Sequence, residues 1–256
     1  MSILKTAIIQ TEITWCDKEA NYKNLEEKIS NIDKEVDLIV LPETFNTGFM
    51  MKPTKEASHQ EDIISWMQTQ IKNRDCAIVG SAATYTSDKI ANRLYFVTSA
   101  GGVYTYDKNH LFLHAGEGEK YCGGNDRKII DYKGFKILLT VCFDLRFPVF
   151  NCNANEYDIL LNVACWPESR REHWKTLLKA RAIENQVFVI ACNRVGKDPN
   201  VSYAGDSMVI DYNGDILAHK DFDETILIAT LHKNSQLKHR EKFNFLKSQD
   251  DFTLHL

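Results

Sequence analysis

Three polar side chains in this chain each stand directly behind an apolar run. Glu43 lies in Leu41-Pro42-Glu43-Thr44-Phe45, Lys108 in Tyr106-Asp107-Lys108-Asn109-His110-Leu111-Phe112, and Cys142 closes the run Leu138-Leu139-Thr140-Val141. The ends of strands are where open α/β folds place their ligands. A free thiol with a pKa of about 8.5 is mostly protonated at neutral pH, so a nucleophilic cysteine needs a base to take its proton or a cation to favour its thiolate. A carboxylate and an ammonium are the residue types that meet those needs. Taken one at a time, the three are ordinary. An acid or a lysine at a strand end is usually solvated, and a cysteine beside an apolar strand is usually a small buried hydrophobe.

The elements that must position these residues follow from periodicity. Residues 7–10 read as a strand and 17–32 as a helix with Leu25, Ile29 and Ile32 on one face. Residues 37–41 form an apolar run without alternation, which fits a strand covered on both faces. The unit repeats: a helix over 61–74, a strand over 76–80, then 92–98 leading into a hairpin whose turn is Ala100-Gly101-Gly102. In the second half, strands are predicted over 136–141, 159–163 and 187–192, with a helix over 172–185. Asn213-Gly214-Asp215 joins strands 207–212 and 216–219 and is the strongest short hairpin signal. Hairpin-joined strands mixed with helix-separated ones predict a layered α/β fold, a sheet sandwich with helices outside, rather than a purely parallel sheet.

Composition narrows the function. A chain of 256 residues that is 44% hydrophobic can bury roughly 70 to 75% of its unfolded surface, and no linker-like stretch divides it, so one domain spanning 1–256 is expected. The net charge of −4, with 31 basic residues scattered among 35 acidic ones, speaks against a nucleic-acid partner. Residues 1–10 lack the features of a signal peptide, and no apolar run nears the roughly 20 residues a membrane span needs. A soluble, cytoplasmic protein is expected, with no membrane partner. The seven cysteines, at 16, 76, 122, 142, 152, 165 and 192, are odd in number and form no C-x-x-C pair, which argues against a disulfide framework and a zinc site.

With their flanks, the three segments resemble the nitrilase superfamily of carbon–nitrogen hydrolases in order, spacing and sequence. The likeness runs nearly end to end. It includes Asn46-Thr47-Gly48-Phe49, Trp166-Pro167-Glu168-Ser169-Arg170, the segment Lys179-Ala180-Arg181-Ala182-Ile183-Glu184-Asn185-Gln186, Asn193-Arg194-Val195-Gly196 and Gly205-Asp206-Ser207. The resemblance implies an αββα sandwich of two mixed sheets with helices on the outer faces, a Glu43–Lys108–Cys142 catalytic set, no metal or organic cofactor, and a homodimer. It implies that Glu43 takes the thiol proton, that Cys142 forms a thioester, and that Lys108 and the backbone N–H of Phe143 hold the oxyanion. Relatives often carry Tyr where this chain has Phe143, which leaves the N–H in place. A second glutamate orients the lysine in the family. Glu117 fits that role by its spacing to Tyr121 and Gly124, with Glu119 as the alternative.

Within the superfamily the stretches Pro42 to Phe49, Cys142 to Pro148, and Trp166-Pro167 followed by Arg170, His173 and Trp174 resemble the omega-amidase branch most closely. The implied substrate is a small carboxamide of the 2-oxoglutaramate or 2-oxosuccinamate type. A carbamoyl-amide hydrolase, a broad aliphatic amidase and, from another class, a catalytically silent binding scaffold are the alternatives. A substrate carboxylate must be met by a cation to offset its desolvation, and Arg170 is the candidate; its other reading is a solvent-exposed arginine beside Arg171. His110 is read as a hydrogen-bonding prop beside Lys108, Asp144 and Arg146 as a pair that fixes the turn after the nucleophile, and Arg181 with Glu184 as a surface or subunit-contact ion pair. Trp166 and Trp174 are read as packing, Cys165 and Cys192 as inert core residues.

Overall fold

The apolar runs become the strands of two sheets. The computed structural model describes every residue except Met1, Lys52, Thr54 and Asp88. Strands β1 (Ile3–Gln10), β2 (Leu38–Val40), β3 (Ala77–Tyr85), β4 (Ile90–Thr98), β5 (Val103–Asp107) and β6 (Tyr121–Cys122) build the first sheet. The second contains β7 (Ile129–Tyr132), β8 (Phe135–Val141), β9 (Ile159–Ala164), β10 (Phe188–Asn193), β11 (Val195–Lys197), β12 (Ser202–Ile210) and β13 (Ile216–Asp221). The chain then returns to the first sheet, where β14 (Thr225–His232) pairs antiparallel with β1.

Both sheets are mixed. Parallel neighbours need a crossover, and helices supply it. Helix α1 (Lys18–Ser30) joins β1 to β2 and α2 (Gln60–Ile71) joins β2 to β3, while α3 (Pro148–Asn151) and α4 (Arg171–Asn185) do the same for β8, β9 and β10. The remaining pairs are mostly antiparallel. The β4–β5 hairpin turns at Gly101 (φ 88°) and the β12–β13 hairpin at Gly214 (φ 88°), positive dihedrals that side chains resist.

Alternation along the strands explains why these runs are apolar throughout. Leu38 and Val40 pack with Leu139, Leu161 and Ile190 between the sheets, whereas Ile39 turns the other way onto Leu25, Ile29, Ile63 and Met67 of α1 and α2. Across the sandwich, Leu138, Leu160 and Val189 face Trp174, Leu178 and Ala182, one stripe of α4. The layers are therefore helix, sheet, sheet, helix, as the sequence predicts. No helix among the described residues is long and apolar enough to cross a membrane.

Boundaries move by a few residues. α1 stops at Ser30 and α2 at Ile71, while β3 runs on to Tyr85 and β12 starts as early as Ser202. β14 and the helix after it, α5 (Lys233–Lys242), have no counterpart in the sequence reading. α5 carries no apolar stripe: its buried residue is Gln236, whose amide donates to the carbonyls of Asp158 and Gln186.

Candidate active site

The turn after β8 sets the geometry of the thiol. Cys142 begins a short 3-10 turn, Cys142–Arg146, with φ at 46°, a left-handed conformation rare outside glycine. Such strain of about 1–3 kcal/mol persists only where the surroundings impose it. Here Asp144 does so. Its fully buried carboxylate accepts Val141 N at 2.9 Å and Tyr106 Oη at 2.7 Å through Oδ2, and His110 N at 3.0 Å and His110 Nδ1 at 2.7 Å through Oδ1. Tyr106 and His110 flank Lys108, so this one carboxylate ties the turn at Cys142 to the loop that carries the ammonium. His110 is the expected prop, acting through Asp144 and stacked on Phe147 with ring centroids 3.8 Å apart. The expected Asp144–Arg146 pair does not form. Asp144 is spent on the turn's own backbone and on the Lys108 loop, and Arg146 turns outward to His173 Nδ1 at 2.9 Å.

Glu43 follows β2, Lys108 follows β5, and Glu117 opens a short turn beyond it; none exposes more than 1% of its surface. Lys108 Nζ lies 3.1 Å from both Glu117 oxygens and 3.5 Å from Glu43 Oε1. Glu119, two residues on, is exposed. The Lys108 ammonium also lies 4.9 Å above the Phe49 ring. Glu43 is held from two further sides, by Asn92 Nδ2 at 2.7 Å on Oε1 and by Cys165 N at 2.6 Å on Oε2, while Phe112 N donates to Glu117 Oε2.

These contacts decide the protonation states. Burial works to lower the pKa of Lys108, but the carboxylates of Glu43 and Glu117 outweigh it and hold the group above the ordinary lysine value, as an ammonium. Burial raises the Glu117 carboxyl above its usual range against the pull of Lys108. The Cys142 thiol is pushed well above the usual cysteine range, first by burial and then by the Glu43 carboxylate that it meets as a hydrogen-bond partner; Lys108 pulls the other way. Both burial and the neighbouring carboxylate therefore favour the protonated thiol at Cys142.

Cys142 and Lys108 open onto a cavity of about 890 Å³, whose wall includes Phe112, Phe143, Arg146 and Arg170. The Arg170 guanidinium lies 5.4 Å over the Phe112 ring, and the half-buried residue lines the cavity. Phe143 packs edge-on against Phe112 and Phe147. Trp174 is core, as expected, whereas Trp166 also walls the cavity. Arg181 is buried rather than on the surface: it donates to the Leu145 carbonyl, at 2.8 Å through Nη2, besides meeting Glu184 at 2.8 Å. Among the described residues no group of three His, Cys, Asp or Glu side chains gathers as a metal-ligand set.

Two groups around Glu43 escape sequence reasoning. Asn92 was legible in principle, as a polar residue inside the apolar strand β4. The Cys165 N–H was not, because a backbone donor leaves no mark in the sequence. Cys165 is buried as expected but borders the site, its thiol 3.2 Å from the Glu43 carbonyl oxygen.

Residues 5–237 match the family model described as carbon-nitrogen hydrolase. The chain is 41% identical to omega-amidase YafV of Yersinia enterocolitica, with 99% of this chain and 100% of that protein aligned. It is 32% identical to the 2-oxoglutaramate amidase of Bacillus subtilis, covering 91% and 92% of the two. Among solved structures, XC1258 from Xanthomonas campestris, a CN-hydrolase superfamily protein with an arsenic adduct in its active site, superposes with a TM-score of 0.95 at 37% identity over 99% of this chain and 100% of that one.

Proposed function

Because this chain belongs to the carbon–nitrogen hydrolase family, we propose that it hydrolyses the terminal amide of small ω-amides of the 2-oxoglutaramate and 2-oxosuccinamate type, releasing ammonia through a thioester on Cys142. The observation that carries this reading is the buried contact of Glu43, Lys108 and Glu117 beside the Cys142 thiol. The omega-amidase and 2-oxoglutaramate amidase relatives support the choice of substrate.

Glu43 takes the proton of Cys142 as Sγ bonds to the amide carbon. The tetrahedral oxyanion is met by the Lys108 ammonium and the Phe143 N–H, and loss of one such donor typically costs about 100- to 1,000-fold in rate. Collapse breaks the C–N bond while Glu43 returns its proton to the departing nitrogen, which leaves as ammonia. Water then adds to the thioester, giving its proton to Glu43, and cleavage of the C–S bond releases the carboxylic acid and restores the thiol. Glu117 keeps Lys108 charged and aimed. Arg170, in the cavity wall, meets the substrate carboxylate. Neither a metal nor an organic cofactor enters any step.

Val149 and Ile183, on α3 and α4, are about half exposed, and their apolar surface suits pairing of two copies into a homodimer, which sedimentation of the purified chain tests. The reaction itself is tested by ammonia release from purified protein on a panel of ω-amides, carbamoyl compounds, aliphatic amides and nitriles. The expected result is fastest release from 2-oxoglutaramate. Preference for an uncharged amide or a carbamoyl compound would reassign the substrate, and no release from any compound would leave a binding scaffold.

A further inference from the structure

The second sheet is irregular behind one wall of the cavity. Where β12 pairs with β13, Gly205 lies opposite Asp221 and Ser207 opposite Lys220, so Asp206 is the extra residue of a β-bulge. Gly205 and Asp206 are both left-handed, with φ at 69° and 57°, and an aspartate holds that conformation only where its surroundings impose it. Gln10 helps to do so, its Oε1 accepting Ser207 N at 2.9 Å. A bulge re-aims a side chain, and this one turns the Asp206 carboxylate toward the first residue of α4.

That residue is Arg171, whose Nε and Nη2 each donate to the buried Asp206 carboxylate at 2.9 Å, a two-point grip that fixes direction as well as distance. His219 Nε2 donates to the same carboxylate at 2.9 Å, and Trp174 Nε1 to the Asp206 carbonyl at 2.8 Å. The other end of the wall hangs from the residue before the bulge. Asn193 Nδ2 donates to the Gly205 carbonyl at 2.7 Å and to that of Trp166 at 3.1 Å, while its Oδ1 accepts Trp166 N at 2.8 Å. Trp166 Nε1 in turn donates to the Arg170 carbonyl at 2.8 Å. The segment from Trp166 to Arg171 is thus tied to the bulge at both ends, and Trp166, Pro167 and Arg170 within it line the cavity. Among the described residues, no hydrogen bond joins Asp206, Arg171 or His219 to Glu43, Lys108, Glu117 or Cys142.

We propose that the Asp206 bulge is a positioning device for substrate selection: by gripping Arg171 it holds the Trp166–Arg170 wall in register with Cys142, and so sets which amides fit. Asp206, Arg171 and His219 touch no substrate and act through Trp166 and Arg170. Residues 170 and 171 are adjacent, so drawing the Arg171 side chain back to the bulge leaves that of Arg170 in the cavity wall. The thiol, the base and the ammonium stand on the turns after β8, β2 and β5, outside this cluster, so a loosened wall weakens binding and spares chemistry. A misplacement of about 1 Å can cost about 100-fold. The identity of the substrate rests on the amidase reading, whereas the positioning is also read by binding alone.

The test compares Arg171→Gln and Asp206→Asn with wild type in ammonia release from 2-oxoglutaramate and from the uncharged glutaramide. For 2-oxoglutaramate, KM should rise by about tenfold with kcat within about threefold, while KM for glutaramide moves less than about twofold. Arg171→Lys, which keeps the charge but not the two-point grip, should recover part of the loss. Equal changes in KM and kcat, equal changes for both amides, or a KM within twofold of wild type in Arg171→Gln would each reduce the cluster to a support of the fold and overturn the proposal. Should Asp206→Asn fail to fold, the Arg171 variants decide, since that side chain is only half-buried. In the Cys142→Ala chain, calorimetric titration with glutaramate should show the same tenfold weakening when Arg171→Gln is added, and no weakening there also overturns the proposal. A wild-type chain that released no ammonia would remove the amidase reading and leave the calorimetry to judge the positioning.

Discussion

The Lys108 ammonium sits 3.1 Å from each carboxylate oxygen of Glu117 and reaches Glu43 only at 3.5 Å, through Oε1. Among the described residues this one cation meets both buried carboxylates, with its closer ties on Glu117. Glu43 is left to face the thiol, and in the proposed mechanism Lys108 can turn a donor toward the developing oxyanion without giving up Glu117.

That arrangement orders the stability of two variants. Lys108→Met strips the two buried carboxylates of the one cation that meets them among the described residues, whereas Glu117→Gln leaves a neutral ion pair. Removing one partner of a buried ion pair typically costs about 3–5 kcal/mol, so Lys108→Met should show the larger fall in urea midpoint. Both should lose at least about 100-fold in ammonia release, while Glu119→Gln, altering an exposed side chain, should stay within a few-fold of wild type. The opposite order of stability would mean that Lys108 is not the charge that holds the site together.

Cys142→Ala should abolish ammonia release with little change in Tm. Cys165→Ala should remain active despite its place beside Glu43, because what the carboxylate uses is the N–H of residue 165, and alanine keeps it. Equal loss from both substitutions would show that the nucleophile had been misassigned.

Glu43→Gln removes the base from a thiol that rests protonated. Alkylation by iodoacetamide, read as labelling of Cys142 by mass spectrometry at pH 7.5, should slow markedly in this variant. Labelling as fast as in wild type would take the proton-carrier role away from Glu43.

Alkaline pH should destabilise the fold. Burial pushes Cys76 up to about 11 and Cys165 up to about 12, and raises Cys192 well above its ordinary value. An unfolded cysteine titrates near about 8.5. Above that pH the unfolded chain gives up protons that the folded chain keeps, so stability falls with rising pH until the folded thiols ionise, by up to about 1.4 kcal/mol per pH unit for each thiol. The urea midpoint should decline between pH 8 and 10, and Cys76→Ala should flatten the slope even though it lowers the starting value. A flat profile in the wild-type chain would contradict this.

Chelation should leave turnover unchanged, since a covalent thiol mechanism with an ammonium at the oxyanion asks for no Lewis acid. Ammonia release after dialysis against EDTA is the measurement. Loss that a divalent metal restores would sink the thioester mechanism as written.

Particular residues show what could be read in advance. Glu43, Lys108 and Cys142, each ordinary alone, stood out as a set only through the resemblance that their flanking segments carry, and the sandwich was visible because runs such as 37–41 are apolar on both faces. Glu117 stood out from Glu119 only by resemblance, since two acids in one short turn carry the same local signal. The contacts that orient the site were largely hidden. Asp144 and Arg146 are two apart and of opposite charge, which suggested a pair, but the left-handed start of the turn at Cys142 draws Asp144 inward and leaves Arg146 to the cavity. β14 escaped because its pattern has meaning only against β1, more than two hundred residues earlier.

The pairing of β1 with β14 runs from Ile3 opposite His232 to Gln10 opposite Thr225, and it sets a clock on biosynthesis. β1 is translated more than two hundred residues before β14, so one of its edges stays unpaired while everything between is made at about 5–20 residues per second. During that interval the edge is a template for any other extended chain. Lys5, which interrupts the otherwise largely apolar β1, thus has a task before folding as well as after: it places a charge on an open edge until Thr230 arrives opposite it.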